Sequence, residues 1–129
     1  MNTAGTNYSM IMGNATEPIR ILMCVYTCRI YISSGSKVSV IGTKYLHSRV
    51  LRILEKDQHL EKTEHSIRYE NGAEVLFYTV PVCRCISGRA IVCALEEVSA
   101  KLAKEVLYPL NHTGSAVFIF CNKYNCPED

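Results

Sequence analysis

Apolar residues recur at Ile19, Leu22, Met23, Tyr26 and Ile30, with Pro18 near the start and Gly35 just past the end. That three-to-four spacing predicts a helix, while the wealth of β-branched residues leaves a strand open. Lys37 to Ile41 reads as a strand closed by Gly42. Thr43 can then cap a helix that gathers Leu46, Val50, Ile53 and Leu54 on one face and places Lys44, Arg49, Arg52 and Lys56 elsewhere. Ser66 to Tyr69 and Glu74 to Thr79 flank Asn71-Gly72, a dipeptide that favours a tight hairpin turn. After a turn-like stretch from Pro81 to Arg89, Ile91 to Leu95 form a continuous apolar run, the pattern of a strand buried on both faces. Val98, Leu102, Val106 and Leu107 predict a further helix that stops near Pro109, and Ala116 to Phe120 predict a second buried strand. Helices alternating with strands in this order predict an α/β fold with a mainly parallel sheet flanked by helices.

At 129 residues the chain is expected to be one domain with a real core. The net charge of +2 is too small to argue for nucleic-acid binding by itself. No apolar run approaches the roughly 20 residues of a bilayer span, and the polar start of the chain lacks the basic-then-apolar pattern of a secretory signal. No membrane partner is expected. The seven cysteines are odd in number and irregular in spacing, which fits a reduced, intracellular protein better than a disulfide scaffold. The four histidines, His47, His59, His65 and His112, stand in polar surroundings and read as surface residues.

The run from Ile91 to Leu95 ends abruptly in Glu96 and Glu97. Two carboxylates at the carboxyl end of a buried strand would sit in the crevice where open α/β sheets bind ligands. The plainer alternative is that both open the first turn of the next helix, where negative charge is favoured.

The order of these segments resembles the ATPase domain of viral DNA-packaging terminase large subunits, of the herpesvirus and tailed-phage type. The segments that carry it are Glu74 to Pro81, Ile86 to Ala90, Ala94 to Glu97 and Phe118 to Asn122. The resemblance implies a P-loop NTPase-like domain spanning 1–129, with a hairpin and with a degenerate phosphate-loop region over 1–17. In it Glu97 would orient the attacking water and Glu96 would hold Mg²⁺. Gly13, Asn14, Thr16 and Arg89 would lie at the ATP, and Asn122 would stand in the coupling segment. Asn14 occupies the slot where a phosphate loop carries lysine, so the resemblance implies a partial or degenerate ATPase. The implied cofactors are ATP and Mg²⁺. The implied partners are double-stranded DNA and other terminase or portal subunits, in the host nucleus if herpesvirus-like. The chain has no room for the nuclease domain that follows in this family. A non-catalytic α/β interaction module is the alternative.

Other chemistries fit less of the sequence. A zinc nucleobase deaminase needs His-x-Glu and Pro-Cys-x-x-Cys. Here Cys83 and Cys85 have one residue between them, and Ile67 stands two positions after His65. A structural zinc held by Cys24, Cys28, Cys83 and Cys85 would lack the usual Cys-x-x-Cys knuckles. Lys44, Arg49, Arg52, Lys56 and Arg68 are interspersed with Glu55, Asp57, Glu61 and Glu64, which reads as a solvated face rather than a phosphate track.

Overall fold

The computed structural model describes residues 8–82 and 85–126. Seven strands form one mixed sheet: β1 (Ser9–Met12), β2 (Lys37–Gly42), β3 (Glu61–Lys62), β4 (Ser66–Arg68), β5 (Glu74–Thr79), β6 (Ala90–Val98) and β7 (Ala116–Tyr124). Their spatial order is β1-β7-β6-β2-β5-β4-β3. The first five of these run parallel, and β4 and β3 add an antiparallel flank. The fold is therefore α/β, as the alternation of elements implies.

The pleat divides the sheet residues between two cores, because successive side chains in a strand point to opposite faces. Val38, Val40, Val92, Ala94 and Phe120 pack on one face against helices α1 (Glu17–Ser33) and α2 (Lys44–Leu54), through Cys24, Val25, Val50 and Leu54. Ile41, Ile91, Cys93, Val117 and Ile119 pack on the other, beneath Ala103 and Leu107. Burial on both sides is why β6 and β7 read as unbroken apolar runs rather than as alternations.

Local chemistry sets the ends of the elements. The Thr43 hydroxyl accepts the Leu46 N–H at 3.1 Å and starts α2 as expected. The β4–β5 hairpin turns at Asn71-Gly72, where Gly72 takes φ +92°, a conformation that favours glycine. Asn71 also donates from Nδ2 to the Ile32 carbonyl at 2.8 Å, which fastens the turn to the end of α1.

Three local expectations are corrected. The acidic pair does not open a helix, because β6 continues through Glu96 and Glu97 to Val98. Val98 is thus a strand residue, and the next helix, α3 (Ala100–Leu102), starts only after Ser99, whose hydroxyl accepts the Leu102 N–H at 3.1 Å. That helix also runs past Pro109. A π-helical turn over Ala103–Leu107 leads without a break into α4 (Tyr108–His112), which carries Pro109 near its start. Finally, the region over 1–17, expected to be a degenerate phosphate loop, contains the strand β1, which pairs in parallel with β7, Ile11 beside Ile119.

Candidate active site at the carboxyl edge of the sheet

The connections leaving β2 and β6 depart to opposite faces, α2 to one and α3 to the other. These two strands are neighbours, so a crevice opens beyond their carboxyl ends, the usual place for a ligand in an open α/β sheet. The β1–α1 junction lies along the same edge, beside the last residues of β7.

That junction carries Gly13, Asn14 and Thr16, all exposed. Asn14 adopts φ +56°, which an asparagine tolerates better than most residues. Its N–H donates to the Asn122 carbonyl at 2.9 Å, and the Ala15 N–H donates to the Cys121 carbonyl at 3.0 Å. Both amides are thereby committed to the end of β7, whereas a phosphate cradle needs such amides directed at the ligand. Thr16 begins α1 without a capping hydrogen bond from its side chain. Residues 1–7 of the expected phosphate-loop region lie outside the described residues.

One turn into α1 stands Arg20, which is only 6% exposed. Its Nη1 donates to the Ala15 carbonyl at 2.6 Å and its Nη2 to Glu96 Oε1 at 3.4 Å. Position 20 shares the inward face of α1 with Cys24, Thr27 and Cys28, which fixes the guanidinium beneath the loop. Arg20 is a functional candidate that the sequence reading missed. The sequence pattern does not signal it, because the apolar spacing draws attention to Ile19, Leu22, Tyr26 and Ile30, which the structure leaves exposed.

Glu96 therefore meets the β1–α1 junction, and Asn122 borders it. Glu97 does not. Its side chain leaves the opposite face of β6 and accepts from Asn125 Nδ2 at 2.6 Å. Across the sheet it is in register with Lys123. It opens onto a cavity of about 460 Å³ walled by Val80, Pro81, Leu95, Leu102 and Val106, with Lys101 also lining it. Arg89 lies at the other end of the sheet, where its N–H donates to the Lys37 carbonyl at 2.9 Å. Seven residues of extended chain lie between it and Glu97, a span of roughly 25 Å. The structure thus gathers Gly13, Asn14, Thr16, Asn122 and Glu96, and leaves Glu97 and Arg89 apart from them.

The donor set at the edge does not suit a magnesium nucleotide. The carboxylate that would hold the metal faces a guanidinium, no lysine lies in the loop, and two loop amides are already paired. No three His, Cys, Asp or Glu side chains among the described residues group as metal ligands. Cys24 and Cys28 are buried on the inward face of α1, and burial pushes the Cys93 thiol well up. Cys85 is exposed, and Cys83 lies outside the described residues. No helix among the described residues is long and apolar enough to cross a membrane.

His47 corrects the reading of surface histidines. It is buried, its ring packs 5.1 Å from that of Phe77, and its Nε2 has no hydrogen-bond partner among the described residues. Burial first, then the nearby His65, lower its pKa to about 4, and a hydrogen bond to the Tyr78 backbone opposes the shift. Positions 47, 50 and 54 share one face of α2, so the helical pattern carried this signal.

Compared with known proteins, the chain is matched by no family model and by no curated protein.

Proposed function

We propose that the chain is a non-catalytic α/β interaction module built on a packaging-ATPase-like sheet. It docks onto other terminase or portal subunits around double-stranded DNA and does not turn over ATP itself. The observation that carries this reading is the pairing of Arg20 with Glu96. The carboxylate that would hold Mg²⁺ faces a guanidinium 3.4 Å away, and that guanidinium is anchored by its 2.6 Å bond to the Ala15 carbonyl. The paired amides of Asn14 and Ala15 support it further, as does the departure of Glu97 to the other face. Titration with a fluorescent ATP analogue in the presence of Mg²⁺ tests it, with no saturation expected below the millimolar range. Saturable micromolar binding that is lost with Arg20→Ala overturns it.

A second reading, an ATPase core coupling hydrolysis to DNA translocation, is favoured by one observation. Gly13, Asn14, Thr16, Asn122 and Glu96 converge at the carboxyl edge, where the resemblance puts the nucleotide. In that reading Arg20 releases Glu96 when the nucleotide arrives, and Glu97 must turn about β6 to reach the same pocket.

A further inference from the structure

The two edges of the sheet are built differently. At one end β3 is two residues long and both are charged, Glu61 meeting Arg68 at 2.9 Å and Lys62 meeting Glu55 at 2.6 Å. A short, charged strand is how proteins discourage further pairing at an edge. At the other end β1 reads Ser9-Met10-Ile11-Met12, without charge or proline, and no strand lies beyond it among the described residues. Ile11 is 48% exposed there.

The backbone of β1 has one side committed. The Tyr8 carbonyl accepts the Val117 N–H at 3.0 Å, so Tyr8, Met10 and Met12 turn their peptide groups toward β7. By alternation along the strand, Ser9 and Ile11 turn theirs outward. Met10-Ile11-Met12 also reads the same in both directions. A two-fold axis at Ile11, normal to the sheet, sets Ile11 opposite Ile11 and Met10 opposite Met12, each pair on one face. The two Ile11 residues then exchange both N–H···O=C bonds, and no like charges meet.

We infer that β1 pairs antiparallel with β1 of a second copy of this chain, centred on Ile11, joining two seven-stranded sheets edge to edge. The self-complementary Met-Ile-Met segment singles out a second copy over any other extended strand. The contact is small, so the dimer forms at high concentration and dissociates on dilution.

Sedimentation velocity of the full chain from about 1 µM to several hundred µM tests this, with Ile11→Lys, Ile11→Thr and Leu22→Lys compared; that range spans the affinities of weak specific contacts. Leu22→Lys alters the exposed side of α1 and serves as the control. The wild type and Leu22→Lys are expected to approach twice the monomer mass together. Both Ile11 variants are expected to stay nearer the monomer, with far-ultraviolet circular dichroism unchanged. Hydrogen exchange at the Ile11 amide is expected to slow as concentration rises. Three outcomes overturn the inference: a monomer throughout, a dimer that survives both Ile11 changes, or Ile11 protection independent of concentration, which would mean that the chain covers its own edge.

Discussion

Glu96 and Glu97 are adjacent in the chain, yet their carboxylates serve opposite faces of β6. Glu96 meets the guanidinium of Arg20 at 3.4 Å, and Glu97 meets the amide of Asn125 at 2.6 Å. The cause is the extended backbone, which turns consecutive side chains half a revolution apart.

Arg20→Ala should lower stability by about 1–3 kcal/mol, since it removes a buried side chain bonded to the Ala15 carbonyl and frees a carboxylate. Glu96→Gln should cost well under about 1 kcal/mol, because the Glu96 side chain is 74% exposed and screened by water. Thermal and urea unfolding of the two variants measures the difference. Equal losses would mean that the ion pair, not the loop contact, is what Arg20 contributes.

His47 should make stability fall in mild acid. In the folded chain its pKa is lowered from 6.5 to about 4, so between those values the unfolded chain takes up a proton that the folded chain refuses. This contribution is fully present above about pH 6.5, declines as the pH drops, and levels off below about pH 4. The loss approaches roughly 3 kcal/mol over that window. Urea midpoints measured from pH 7 to pH 4 should fall more steeply for the wild type than for His47→Phe, which cannot titrate. Parallel curves would show that His47 is not the group responsible.

Gly42→Ala should destabilise by about 1–3 kcal/mol through overpacking. A Cβ there would meet Leu46 Cδ2 at 2.6 Å and the Ala94 carbonyl at 3.1 Å, in the crevice where β2 and β6 end. The pair Gly42→Ala with Leu46→Ala should recover part of that loss, because the nearest clash is with a side chain. Calorimetric melting of the single and double variants decides it.

Much of the sheet was legible because its strands are buried on both faces, and such strands announce themselves as apolar runs. The Thr43 cap and the Asn71-Gly72 turn were legible because each sets a backbone conformation locally. The extent of β6 was hidden, because Glu96 and Glu97 look like the end of a strand. They are tolerated within it because β2 already ends at Gly42, beside Ala94, and both carboxylates reach solvent. The strand β1 was hidden by its length of four residues and its reliance on β7. At the site, residue types could be named but not their directions. Whether Glu97 shares a pocket with Glu96 depends on where the strand stops, and burial of Arg20 depends on how α1 is turned against the sheet.

Steady-state ATP turnover with Mg²⁺, measured beside Glu97→Gln, bears most directly on whether this sheet is a module or a motor. With Glu96 held by Arg20 and Glu97 on the far face, the two proteins should show the same background rate. A wild-type rate well above background that collapses on Glu97→Gln would contradict the non-catalytic reading.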